Sequence, residues 1–123
     1  MLRAPLFIPG NRASMLAKVP TLAADALVLD LEDSVPLGEK ESARSLVRTT
    51  LLAHGRGAVP LYVRVNAVAS GLTEADLSAV AVQGLAAVVL PLIERHCTRC
   101  TETGTTRQSR YSSNTFQTRY IAP

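Results

Sequence analysis

Between Leu6 and Pro91 the chain alternates short apolar runs with stretches of helical period, and this alternation limits the fold more than any other feature. The first run is Leu6-Phe7-Ile8-Pro9-Gly10, after which Asn11 offers a side-chain cap to a helix predicted through Met15, Leu16 and Lys18. The second, Ala26-Leu27-Val28-Leu29, is apolar at consecutive positions, as a strand covered on both faces must be, and it ends in Asp30-Leu31-Glu32-Asp33. After Pro36 and Gly38, Ala43, Leu46, Val47 and Leu51 fall on one helical stripe that closes at His54-Gly55. The third run is Leu61 to Asn66; Thr73 and Asp76 then make a T-x-x-D resembling a capping box before Leu77, Val80 and Ala81. The fourth run is Ala87-Val88-Val89-Leu90-Pro91.

Apolar strands joined by crossover helices imply an α/β fold with a parallel sheet. About four βα units fit the N-terminal half of a (β/α)8 TIM barrel, which needs about 250 residues when complete, or else the start of an open doubly wound sheet. The pattern stops near residue 95. Residues 96–123 hold seven Thr, three Ser and four Arg but no Leu and no Val, so they are expected to form a low-order tail, with Tyr111, Phe116, Tyr120 and Ile121 able to dock on apolar surface. The expected organisation is therefore a partial barrel over 1–95 and a tail over 96–123. A reading-frame change or fusion near Glu94 to His96 is the simplest account of the break.

The net charge of +3 lies entirely in that tail, because residues 1–95 carry nine Lys/Arg and nine Asp/Glu. Four dispersed arginines make a thin footprint for nucleic acid, so none is expected as a partner. No apolar run reaches the roughly 18 residues of a membrane span, and Met1 to Pro5 lacks a signal-peptide pattern. With both cysteines in the tail and no thiol before it, the expected compartment is the cytoplasm.

Arg64 is the most informative residue, since a guanidinium between Val63 and Val65 in an apolar strand must find an anion. Spacing slightly favours internal pairing with Asp30, Glu32 or Asp33 over a bidentate grip on a substrate carboxylate. The Asp30-x-Glu32-Asp33 cluster reads first as solvated loop acids with Lys40 and Arg44 as neighbours, and second as a cation site at the strand ends. Pro9-Gly10-Asn11-Arg12 reads as a strand-to-helix turn rather than a phosphate loop. His96-Cys97-x-x-Cys100 has the spacing of half a zinc site with no second half, so it is taken as accidental.

The order of these pieces is more specific than any one of them. Leu6 to Arg12, Leu29-Asp30-Leu31-Glu32-Asp33-Ser34-Val35-Pro36, Lys40 with Ala43-Arg44, Val63-Arg64-Val65-Asn66, Gly71-Leu72 and Val89-Leu90-Pro91 together resemble the citrate lyase beta-subunit family of the HpcH/HpaI aldolase superfamily over roughly residues 3–94. The resemblance implies a TIM-barrel lyase that uses Mg2+ to cleave or form a carbon–carbon bond in a 3-hydroxyacyl-CoA thioester such as citryl-CoA or malyl-CoA. It also implies a homo-oligomer, usually a trimer, with an acyl-CoA thioester and a keto-acid as its ligands. Position by position, Arg64 matches the arginine that holds the keto-acid carboxylate, Phe7 an aromatic residue of the substrate pocket, and Lys18 a basic residue at the CoA portion. Glu32 and Asp33 match acids that hold the metal's waters. The family's direct metal ligands, a Glu and an Asp, lie on later strands, where this chain has its tail, so no residue is assigned to them. Leu92 stands where the family usually has Lys, while Glu94 keeps the acid. The competing expectation is a catalytically inactive half-barrel fragment or association module, with an unpaired strand edge open to a partner.

Overall fold

A computed structural model describes residues 4–91 and the backbone of residues 119–121. Its elements run β1 (Pro5–Pro9), α1 (Ala13–Leu16), β2 (Ala26–Asp30), α2 (Lys40–His54), β3 (Leu61–Arg64), α3 (Thr73–Val80), β4 (Leu85–Leu90) and β5 (Arg119–Ile121), with single 3-10 turns at Val19–Thr21, Leu37–Glu39 and Val68–Ser70. The first four strands are parallel and lie side by side in chain order. A doubly wound sheet reverses its strand order at a switch point, and no reversal occurs among these four. The sheet is therefore wound in one direction only, as a barrel requires.

Register assigns each strand residue to a face. Ile8, Leu29, Val63 and Val88 stand in one row, and they join Leu16, Val47, Leu51 and Val80 of the helices in a single apolar core. Alternation puts Phe7, Val28, Tyr62 and Ala87 on the opposite face, followed one step along by Pro9, Asp30, Arg64 and Val89. All five residues of β2 are buried, which explains its unbroken apolar sequence and makes the acid at its end conspicuous. In α2, Ala43, Val47 and Leu51 turn one buried stripe toward the sheet. Burying one Val or Leu side chain contributes about 1.5–3 kcal/mol, far more than the tenths that separate helix propensities, so packing decides where α2 lies.

Three local expectations are corrected. Asn11 does not cap α1; Arg12 occupies that position without a side-chain bond, and the Asn11 amide reaches Glu39 Oε2 at 2.5 Å instead. The helix also ends at Leu16 rather than Lys18, because Pro20, lacking an N–H, breaks the path into a 3-10 turn. Thr73 is the first residue of α3 and not its cap, so no capping box forms; its hydroxyl donates to Asn66 O at 2.9 Å. In the tail, where no period was visible, β5 pairs antiparallel with β4, Tyr120 standing opposite Val89. A strand at the end of an open parallel sheet presents unpaired backbone groups, and β5 takes those of β4. Leu92, Glu94, His96, Cys97, Cys100, Tyr111 and Phe116 lie outside the described residues. Among the described residues no helix is long and apolar enough to cross a membrane.

At the N-terminal end of the sheet the chain enters β4 through Gly84, whose φ is +102°. A Cβ there would strike the carbonyl oxygen of Leu51 and stand 2.8 Å from the Gly55 Cα, backbone on both sides. Gly84→Ala combines backbone strain with overpacking, and we expect a loss of about 2–4 kcal/mol in urea unfolding. A midpoint within error of wild type would refute this close approach.

Candidate functional site

Asp30 and Arg64 are the last residues of β2 and β3 and stand opposite each other in the parallel register. Their side chains meet as a fork: Arg64 Nε donates to Asp30 Oδ1 and Nη2 to Oδ2, both at 2.8 Å. The remaining nitrogen, Nη1, lies 3.3 Å from Glu32 Oε2 and 3.5 Å from Asp33 Oδ2. Phe7 lies beneath the guanidinium, its ring centre 5.1 Å from the Arg64 Cζ, a distance at which the ring's negative face attracts a cation. The internal pairing that spacing favoured is thus formed, and it brings Phe7, Asp30, Glu32, Asp33 and Arg64 together at the C-terminal ends of the strands.

Asp30 is the hub of its own loop. Besides the fork it accepts from the backbone N–H of Glu32 at 2.9 Å and from the N–H and hydroxyl of Ser34 at 3.1 and 2.6 Å. Burial opposes ionisation of this carboxyl, but the bonds from Arg64, Ser34 and the Glu32 N–H outweigh it and bring the pKa down to about 2, from 3.8. Glu32 moves the other way: burial raises it, Arg64 lowers it, and Asp33 and Asp30 raise it again. Arg64 is held above its ordinary value first by its hydrogen bonds to Asp30, against burial. A carboxyl depressed in the folded state stabilises above its unfolded pKa and loses that contribution as pH falls through the folded one. Asp30 therefore contributes about 2 kcal/mol at neutral pH, which we expect to disappear between pH 4 and pH 2 in acid-unfolding curves and to be absent in Asp30→Asn.

Two features hold the strand ends in place. Gly10 donates its N–H to Asp30 O at 2.8 Å, and a Cβ at Gly10 would lie 2.6 Å from that oxygen and 2.9 Å from Val47 Cγ2. The Pro-Gly turn is a close-packing device against β2 and not a phosphate cradle. Behind the acidic loop, the buried Lys40 ammonium donates to Leu31 O, Glu32 O and Asn66 Oδ1. The buried Asp76 accepts from Arg44 Nε at 2.7 Å, from the Asn66 N–H at 2.8 Å and from Asn66 Nδ2 at 2.6 Å. Lys40 and Arg44 are thus not surface partners of the Asp30-Glu32-Asp33 carboxylates: one holds loop carbonyls and the other pairs with Asp76. The spacing from Thr73 makes Asp76 look like part of a helix cap; no local signal marks it as the partner of Arg44 and Asn66.

Lys18 is exposed beyond the end of α1 and makes no ion pair among the described residues, so it is not gathered into the Arg64 cluster. For Mg2+, the described residues do not form a site by themselves. Both Asp30 oxygens are fully engaged by five donors, and no group of three His, Cys, Asp or Glu able to hold a metal is found among the described residues.

The HpcH/HpaI aldolase/citrate lyase family model matches residues 3–106. The chain belongs to that family. Mitochondrial citramalyl-CoA lyase of Rattus norvegicus is 44% identical over 75 residues, covering 61% of this chain and 22% of its own length. Citrate lyase subunit beta of Leuconostoc mesenteroides subsp. cremoris is 36% identical over 92 residues, or 75% of this chain and 30% of the relative. Among solved structures, protein CitE from Mycobacterium tuberculosis in complex with magnesium, acetoacetate and coenzyme A superposes with a TM-score of 0.61 at 37% identity, covering 73% of this chain and 32% of that one. The chain spans about a third or less of the length of these HpcH/HpaI aldolase/citrate lyase proteins. Its four parallel strands are part of the family's TIM barrel, and the two named sequence relatives are a citramalyl-CoA lyase and a citrate lyase subunit.

Proposed function

We propose that this chain carries the carboxylate-gripping part of a Mg2+-dependent carbon–carbon lyase that cleaves a 3-hydroxyacyl-CoA thioester such as citryl-CoA or malyl-CoA. The observation that supports this most is the state of Arg64. Asp30 occupies the Nε/Nη2 edge of the guanidinium and fixes its plane, while Nη1 has only the long approaches of Glu32 and Asp33. The Nη1/Nη2 edge is left for a second carboxylate, the keto-acid end of the substrate, in the two-bond geometry that suits arginine. Phe7, 43% exposed and under the guanidinium, would flank a carboxylate bound at that edge. Lys18, exposed beyond α1, takes the anionic CoA portion.

Three carboxylates around Arg64 leave surplus negative charge, which the buried Lys40 ammonium offsets only in part at Glu32. That surplus suits a cation whose waters Glu32 and Asp33 would hold, and Mg2+ bound there would supply Lewis-acid polarisation of the keto-acid oxygens. Its direct ligands come from outside residues 4–91. The same reading takes the protein as cytoplasmic and homotrimeric, with a partial barrel to about residue 95 and a tail over 96–123 whose residues 119–121 add a strand to the sheet. The test is the purified chain with Mg2+ and citryl-CoA or malyl-CoA: carbon–carbon cleavage to a shorter acyl-CoA and a keto-acid supports the lyase, and the absence of both cleavage and Mg2+ binding removes the enzyme reading.

A second reading, an inactive half-barrel that associates with a partner, is favoured by the position of β1. It is the outermost strand, and its Leu6 and Phe7 are 44% and 43% exposed. Sedimentation separates the two: this reading requires a complex without turnover.

A further inference from the structure

We propose that Lys40 is a positioning residue for the Arg64 site, fastening the loop that bears Glu32 and Asp33 to the end of the strand that bears Arg64. Its effect on turnover rests on the lyase reading; its effect on the geometry of Arg64 does not. Lys40 is 8% exposed, and its ammonium makes three short bonds, to Leu31 O at 2.6 Å, Glu32 O at 2.5 Å and Asn66 Oδ1 at 2.7 Å. None of these acceptors is a carboxylate. Burying an ammonium on neutral oxygens is an expensive way to fill space, and a methionine would fill it without desolvating a charge. What the ammonium adds is direction, because three donors at tetrahedral angles are satisfied only when the three oxygens converge.

Those oxygens belong to two separate strand ends. Leu31 and Glu32 follow Asp30 on β2, and Asn66 follows Arg64 on β3 by two residues. The Glu32 N–H and the Ser34 N–H, one and three residues beyond Leu31, are bonded to the Asp30 carboxylate that grips Arg64. Asn66 is fixed in turn, donating from Nδ2 to Leu31 O at 2.9 Å and to Asp76 Oδ2 at 2.6 Å, while Arg44, one helical turn after Lys40, holds the other Asp76 oxygen. A chain of bonds thus runs from α3 through Asn66 and Lys40 to the loop, and through the loop to the Asp30–Arg64 fork. Lys40 touches neither Arg64 nor the pocket in front of it, so it acts through the loop's shape.

The experiment measures Arg64 directly, on the full chain. Arg64 Nε–H, held by Asp30, gives a slowly exchanging side-chain resonance in 15N-labelled protein, identified by its loss in Arg64→Lys. In Lys40→Met and in Lys40→Gln, which keeps two donors without the charge, this resonance is expected to shift and to exchange faster while far-UV circular dichroism stays that of wild type. Arg56→Met, at an exposed residue bonded to Gln83, is the control and leaves it unchanged. With citryl-CoA or malyl-CoA and Mg2+, kcat is expected to fall about 100-fold in both Lys40 variants, with KM moving far less, as for a misplaced rather than a missing group. If wild type shows no turnover, the lyase reading fails and the resonance still decides the role of Lys40. An unchanged Arg64 signal in a folded Lys40 variant overturns the proposal. So does the failure of both variants to fold while Arg56→Met folds, since Lys40 would then serve stability alone.

Discussion

Arg64→Ala is expected to abolish carbon–carbon cleavage of the acyl-CoA substrate and also to destabilise the folded chain by about 3 kcal/mol. On the proposed lyase reading, the catalytic loss follows from removing the group that would receive the substrate carboxylate, and it should appear as no detectable turnover at any substrate concentration. The stability loss has a separate origin. Asp30 is 2% exposed and would keep its bonds to the Glu32 N–H and to Ser34 while losing the guanidinium that neutralises it. A buried carboxylate without its partner answers by taking a proton more readily, so its pKa should rise from about 2. Unfolding in urea at neutral pH should therefore show the full penalty, and the difference from wild type should shrink toward pH 2, where the fork no longer contributes. A penalty below about 0.5 kcal/mol would place the fork with exposed surface pairs, whose contribution is small, and would argue against a guanidinium locked in position.

Asp76→Ala should be at least as damaging to the fold, with an expected loss of about 3–5 kcal/mol. The side chain is fully buried, and three N–H donors depend on it: Arg44 Nε, the Asn66 backbone and the Asn66 amide. Removing the carboxylate strands all three at once and leaves the Arg44 charge, whose Nη2 already lacks a partner, without its counterion. Amide hydrogen exchange gives the local reading, since the Asn66 N–H should pass from slow to fast exchange before neighbouring positions of β3 respond. Asp76→Asn tests the cause: it preserves shape and one acceptor but not the charge, and an intermediate loss is expected. A melting temperature unchanged in both variants would show that this network is incidental to the fold.

The two kinds of residue differ in how plainly they could be read from the chain. Ala26 to Leu29 announces a strand covered on both faces because each position is apolar, and Arg64 announces an anion because it interrupts such a strand. Both inferences use only nearest neighbours. Asp76 and Lys40 carry no comparable local mark: an acid three residues after Thr73 looks like a helix cap, and a lysine on an amphipathic helix looks solvated. Their partners lie 32 residues away in the case of Arg44 and Asp76 and 26 in that of Lys40 and Asn66, and only the crossover geometry brings them together. The strand order is similarly hidden, since repeated βα units serve equally well in a sheet that reverses and in one that does not. The tail strand β5 was illegible for a different reason: its pairing depends on the backbone edge that β4 offers, not on a pattern in its own side chains.

The bond from Gly10 N–H to Asp30 O fixes more than a turn. Backbone groups along a strand point alternately to its two sides, so if Gly10 faces β2, then Ile8 and Leu6 do as well, and Pro5, Phe7 and Pro9 face away. Two of those three have no hydrogen to give. Pro9 O already accepts from the Arg12 N–H, so the outer side of β1 offers the carbonyl oxygens of Pro5 and Phe7 and a single N–H, and two copies brought together there could share only the Phe7 pair. Such an edge selects by polarity: it favours a strand that can donate more than it accepts.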